Sequence, residues 1–288
     1  MKKLFTLLIL IAAVSVYAQE AAKTETPPAP KPPADAVESG TVAGDPVSLE
    51  ADDQWKINGV FLQSTLEEPK YVILLPDLGK NRTYYTRFTK NLAASGIGYL
   101  AIDLRGHGKS AVPQHYTKFE REGINSQFNR MYKDVNIAVE YLKNRKIPAK
   151  NIFILGAGLG ANVAASSLVF NTDIGGAALI TPSTNTRDVL TIPGVKVAKI
   201  PLLIACATDV RKNFLEASLI RNVAYNTQGP GKVTFLTAYD REGANMLDTY
   251  LTPAVVQWVK TPVLPEVLDD TPQAEDLITQ EILTDAIE

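Results

Sequence analysis

Asn151-Ile152-Phe153-Ile154-Leu155-Gly156-Ala157-Gly158-Leu159-Gly160-Ala161-Asn162 is the stretch whose reading decides the fold. A short apolar run closed by glycines predicts a strand buried on both faces. The run of small residues after it, Gly160–Phe170, predicts a helix. The spacing Gly156-x-Gly158-x-x-Ala161 also fits a dinucleotide-binding turn, which requires an acidic residue about 20 positions on, at the end of the next strand. That strand ends Leu179-Ile180-Thr181-Pro182-Ser183 and offers no acid. The dinucleotide reading therefore fails.

Outward from this turn, short apolar runs alternate with amphipathic stretches from Val47 to Thr261. Strands are expected at Ser48–Ala51 with Trp55–Ile57, Val60–Gln63, Tyr71–Leu75, Tyr99–Leu104, Ile152–Leu155, Ala177–Ile180, Leu202–Ala207 and Val233–Ala238. Asn58-Gly59 reads as a hairpin turn between the first of them. Helices are expected over Arg82–Ala94, Phe128–Asn144, Gly160–Phe170, Phe214–Ala224 and Met246–Lys260. In the second of these, Val135, Ala138, Val139 and Leu142 form a buried stripe. Strand–helix alternation predicts an α/β domain with a mostly parallel sheet and helices on both faces.

Two further motifs stand at predicted strand ends. Val72-Ile73-Leu74-Leu75-Pro76-Asp77-Leu78-Gly79 is an apolar strand running into a glycine-containing loop. Ala101-Ile102-Asp103-Leu104-Arg105-Gly106-His107-Gly108-Lys109-Ser110 is a second strand running into a polar turn. In this order, with the 151–162 turn, they resemble the α/β-hydrolase superfamily. The loop at 76–79 is similar to that family's oxyanion loop, and the turn at 103–110 to its Asp-x-Arg-Gly-His-Gly-x-Ser turn. Gly156 to Gly160 is similar to its nucleophile elbow. The resemblance implies an α/β-hydrolase fold with an eight-stranded sheet. With no long insertion after Ala177–Ile180, it implies no lid domain.

Such hydrolases carry a catalytic triad in chain order Ser, Asp or Glu, His, with Ser at the centre of the elbow. Here Gly158 occupies the Ser position and has no side chain to attack with. Asp209, after the strand Leu202–Ala207, matches the acid. Asn245 stands at the His position. The only two histidines, His107 and His115, precede the elbow. His107 reads as a turn residue hydrogen-bonded to backbone, and His115 as a solvated loop residue. Without the His, Asp209 is expected to fall back on capping the helix from Arg211. Gly suits residue 158 because the elbow's strained backbone costs on the order of 1–3 kcal/mol for a residue with a Cβ. The backbone N–H groups of Leu78 and Leu159 remain as donors for a carboxylate or a substrate carbonyl, although Asp77 brings a negative charge beside them. Candidate ligand-binding residues are thus Asp77, Leu78, Gly158, Leu159, Asp209 and Asn245.

The chain has 288 residues and a formal net charge of −2. Lys2 and Lys3, the apolar run Leu4–Val16 and the small-residue site Val16-Tyr17-Ala18 predict a cleavable signal peptide at 1–18 and a periplasmic or secreted protein. The membrane enters only through that segment before cleavage. No Cys follows it, so no lipoprotein anchor is expected. Residues 19–46 are predicted to be a Pro/Ala-rich disordered linker, 47–261 the α/β-hydrolase-like domain and 262–288 an acidic C-terminal tail. Leu277, Ile278, Ile282 and Leu283 in that tail suit either one short helix or a frayed end. Lone Cys206, in an apolar strand, reads as a small hydrophobe. No His or Cys cluster has ligand spacing, so neither a metal nor a cofactor is expected. Mild acidity does not suggest a nucleic-acid partner.

Three functions fit. The first is a pseudoenzyme that binds a small ligand or a protein partner. The second is a hydrolase of esters or amides with a non-standard residue set, such as Asp77 or Asp209 as a general base. The third is a structural or assembly protein of the cell envelope.

Overall fold

The structure, a computed structural model, describes residues 41–123, 125–239, 241–248 and 251–262. The expected signal peptide 1–18, the linker through residue 40 and the tail from residue 263 lie outside those residues. The chain opens with an antiparallel pair, β1 (Asp45–Glu50) and β2 (Lys56–Leu62). β1 takes in Asp45 and Pro46, which the sequence pattern places in the linker. The turn between the two also differs from expectation. Ala51 N donates to Trp55 O at 3.0 Å and Gln54 N to Ala51 O at 2.8 Å, so the chain reverses there. Asn58-Gly59 lies inside β2 instead. A Cβ at Gly59 would stand 2.8 Å from Ala101 O on the neighbouring strand, so this glycine serves a close strand approach rather than a turn.

The remaining strands are β3 (Tyr71–Leu75), β4 (Gly98–Ile102), β5 (Ile152–Ala157), β6 (Gly176–Ile180), a small ribbon of β7 (Asn185–Thr186) and β8 (Val189–Leu190), β9 (Leu202–Ala207) and β10 (Val233–Ala238). The main sheet has eight strands in the order β1-β2-β4-β3-β5-β6-β9-β10. β2 runs antiparallel to β4, and every pair from β4 to β10 is parallel. This is the eight-stranded, mostly parallel α/β-hydrolase sheet. The ribbon and one short helix are all that stand between β6 and β9, and no lid domain is evident.

Helices cover both faces: α1 (Thr86–Ala94), α2 (Tyr132–Asn144), α3 (Leu159–Ser167), α4 (Ile192–Val197), α5 (Arg211–Gln228) and α6 (Leu251–Lys260). The sorting follows from the two-residue period of a strand. On β3, Val72 and Leu74 join the core under α1 and α6, with Phe88, Leu92, Val255 and Trp258. Ile73 and Leu75 join the core under α2, α3 and α5, with Val135, Leu142, Val163 and Ile220. All five residues of β3 are buried, as a strand covered on both sides requires. Cys206 is buried in β9, and burial pushes its thiol up to about 11. It is a packing residue. The parallel strands deliver their following loops to one end of the sheet, the usual place for a ligand in this architecture.

Candidate active site

The turn after β4 is fixed by buried charges. Asp103 accepts hydrogen bonds from Arg82 N and Lys109 N, each 2.8 Å, and pairs with the Arg82 guanidinium. Arg105 is fully buried. Its Nε donates to Asp134 Oδ1 at 2.8 Å, its backbone N to Asp134 Oδ2 at 2.8 Å, and its Nη1 to Asp53 Oδ2 at 2.7 Å. Burial opposes the guanidinium charge, but Asp134 and Asp53 outweigh it and hold the pKa above its ordinary value. The network ties the turn to α2 and to the β1–β2 turn. His107 lies flat on the Tyr116 ring, centroids 4.3 Å apart, with Nδ1 2.9 Å from Arg105 O. Burial pushes its pKa down to about 4, so the imidazole is neutral. That matches the sequence reading of a backbone-bonded turn residue. His115 is exposed and starts the helical turn Tyr116–Lys118.

The elbow between β5 and α3 keeps the strained geometry. Gly158 has φ +54° and ψ −120°, and its N–H donates to Ile180 O at 3.0 Å. A Cβ at Gly156 would run into Gly160 O, and one at Gly160 into Leu75 O, so both flanking glycines serve the close approach of α3 to the sheet. What fills the place of the missing side chain comes from the loop after β3. A Cβ at Gly158 would overlap the carboxyl carbon and both oxygens of Asp77. Asp77 Oδ1 accepts the Leu78 N–H and the Leu159 N–H, each at 2.7 Å. Those are the two donors expected to hold a ligand's anion. Burial raises the Asp77 pKa, while the bonds from Leu159 and Leu78 and the charge of Lys80 pull it back. Oδ1 is held by both donors, and among the described residues no hydrogen bond reaches Oδ2.

Tyr84 stands within range of the Asp77 charge. Its hydroxyl accepts the Ala244 N–H at 3.1 Å, and Lys80 Nζ stands 5.9 Å from its ring centre. Burial and then the Asp77 charge push its pKa up to about 12. Tyr85 Oη donates to Leu75 O at 2.7 Å and anchors the end of β3. The helical turn Gly243–Asp248 is held to the elbow side by Gly243 N on Thr181 Oγ1, 3.0 Å.

Asp77, Leu78, Gly158 and Leu159 therefore come together as one group. The other two expected site residues do not join it by any hydrogen bond among the described residues. Asn245 is exposed on the Gly243–Asp248 turn. Asp209 is exposed as well, and α5 begins after Val210 with no side-chain cap, which corrects the expectation that Asp209 caps it. Asp77, expected only to bring a charge beside the donor pair, occupies it. Tyr84 was not anticipated. Among the described residues no group of three metal-ligating side chains occurs, and no helix is long and apolar enough to cross a membrane.

The family model for serine aminopeptidases, S33, matches residues 67–234, more than half of the chain. The chain belongs to the serine aminopeptidase S33 family. The match takes in Asp77, Gly158 and Asp209 and ends before Asn245. No curated protein matches the chain. Among solved structures, an esterase from Pyrococcus furiosus is similar at 17% identity and TM-score 0.59, covering 76% of this chain and 92% of that one. An esterase from Exiguobacterium antarcticum is similar at 13% identity and TM-score 0.57, covering 76% and 100%. A 2,6-dihydroxy-pseudo-oxynicotine hydrolase is similar at 11% identity and TM-score 0.62, covering 77% and 69%. At these identities the likeness is one of fold. The S33 member has the α/β-hydrolase fold.

Proposed function

We propose that this S33 member is an exported pseudoenzyme that binds a small ligand or a protein partner and does not carry out serine acyl transfer. One observation carries the reading: the Asp77 carboxylate sits where an elbow serine would project and accepts both N–H donors of the oxyanion loop and elbow. Acyl transfer needs a nucleophile at the elbow and a vacant donor pair for the developing oxyanion. Gly158 supplies no nucleophile, and a resident carboxylate takes the pair. Asp209 and Asn245, both exposed, offer no relay to restore it. The signal pattern at 1–18 supports a periplasmic or secreted location.

A second reading, a hydrolase with a non-standard residue set, has one feature in its favour. Asp77 Oδ2 is unbonded among the described residues, and burial lifts the carboxyl pKa. A general base has these properties. The same test separates the two readings. Purified protein is incubated with p-nitrophenyl esters and with a serine-reactive fluorophosphonate. The pseudoenzyme reading expects no turnover above buffer and no label. Turnover that is lost in Asp77→Asn would overturn it in favour of Asp77 as a base.

A further inference from the structure

The end of the sheet opposite the site is lined by lysines. Lys70 directly precedes β3, Lys150 stands two residues before β5, Lys199 three before β9, and Lys232 directly before β10. Lys260 ends α6 at the same place. Two residues before it, Trp258 packs edge-to-face on Phe153 at 5.7 Å, and its ring stands 2.8 Å from where a Cβ at Gly176 would be. Phe153 is the second residue of β5 and Gly176 the first of β6. Lys70 Nζ lies over the same Phe153 ring, and Lys232 Nζ donates to Lys199 O at 3.2 Å, so the lysines follow the starts of neighbouring strands along one edge. Four of the five are exposed, and Lys70 is half-buried. Among the described residues none of the five has a carboxylate partner. Acids near this edge are few. Glu67 and Glu68 precede Lys70, and Asp173 is held by Lys143 at 3.0 Å.

The chain carries the matching charge itself. Residues 262–288 hold eight Asp and Glu side chains and no Lys, Arg or His, while the other 261 residues together carry +6. A chain of net −2 is thus split into a basic body and a strongly acidic end, the pattern of a charged interaction segment. That segment departs from Lys260, on the lysine edge.

We propose that the acidic stretch 262–288 docks on its own chain along the edge formed by Lys70, Lys150, Lys199, Lys232 and Lys260. Reach is not limiting. Lys70 to Lys232 crosses four strand spacings of about 4.8 Å, and an extended chain covers roughly 3.3 Å per residue. The tether gives the segment an effective concentration on the order of millimolar at the edge, above that of any free partner at lower concentration. The contact is between exposed charges and is screened by salt over about 8 Å at physiological ionic strength. This proposal does not depend on the reading of the elbow.

The test is zero-length carbodiimide cross-linking of the full chain, run on an equal mixture of ¹⁴N- and ¹⁵N-labelled protein and read by mass spectrometry. Links from Glu266, Asp270, Glu275 and Glu281 are expected to gather on the five lysines, within same-isotope chains, and to fall at least fivefold in 1 M NaCl. Links spread equally over Lys56, Lys90 and Lys109, which are exposed elsewhere, would overturn the proposal. So would a predominance of mixed-isotope links, which would make a second copy the occupant. A full-length variant with all eight acids changed to Asn or Gln gives a second readout. The five lysines should then acylate faster with a succinimidyl ester, with the three control lysines unchanged; equal rates in both proteins would contradict docking.

Discussion

Two loops at the same end of the sheet have been treated in opposite ways. The turn at 103–110 keeps the pattern it shares with α/β-hydrolases and has a partner for each carboxylate and guanidinium in it. Arg105 is enclosed by Asp134 and Asp53, and Asp103 by Arg82 and the Lys109 N–H. The elbow keeps its backbone, with Gly158 at φ +54°, but has no side chain at its centre, and a carboxylate from the loop after β3 fills that space. The difference separates residues that hold the fold from residues that do chemistry. Losing Arg105 would strand a buried carboxylate. A glycine at the elbow leaves a space, which Asp77 fills.

The sharpest way to break this comparison is at the turn. Arg105→Ala leaves Asp134, which is fully buried, without its cation, and removing one partner of a buried pair costs about 3–5 kcal/mol. Urea unfolding should show that loss; under about 1 kcal/mol would mean that the network is not what fixes the turn.

A second effect at the turn has a definite sign. His107 titrates at about 4 in the fold against 6.5 unfolded, so between those values the native state binds fewer protons. The His107 contribution to stability should fall as pH drops from 6.5 to 4, by up to about 3 kcal/mol. Asp134, whose carboxyl burial lifts to about 6, contributes in the opposite direction, and His107→Gln should remove the first contribution alone and change the slope. An unchanged slope would place the titration elsewhere.

The elbow gives a smaller effect. Gly158→Ser forces Asp77 out of its place and adds backbone strain of about 1–3 kcal/mol. Adding Asp77→Gly removes the overlap, so the pair should couple favourably by about 0.5–3 kcal/mol in a double-mutant cycle. Additive losses would mean that Asp77 and residue 158 do not share the space.

Much of the fold was legible because its signals are local. Apolar runs closed by polar or glycine turns marked every strand of the main sheet, and the three motifs stand at the strand ends the sequence assigns them. Asn58-Gly59 misled because the dipeptide that makes a hairpin turn also makes room for a neighbouring backbone. Only the register against β4 distinguishes the two. Asp209 misled because a carboxylate just before a helix caps it only when the chain places it at the boundary, and Val210 holds that place. At the site, the absent serine was visible in the residue type alone. That Asp77 replaces it was not, because the Leu159–Asp77 bond joins residues 82 apart. The sequence showed a charge beside the donor pair, and geometry turned it into the pair's occupant. Tyr84 meets Ala244 across 160 residues, and nothing in its local pattern marks it off from the core residue Tyr85 beside it.

The central claim is that one Asp77 oxygen holds both amide donors. A ¹⁵N–¹H pH titration of the full chain reads this directly, since a carboxylate shifts the amides that bond it as it ionises. The Leu78 and Leu159 amides should titrate together, with one midpoint above the ordinary aspartate value, as burial of Asp77 requires. Both transitions should vanish in Asp77→Asn. Amides that stay flat, or that titrate with separate midpoints in wild type, would contradict the account.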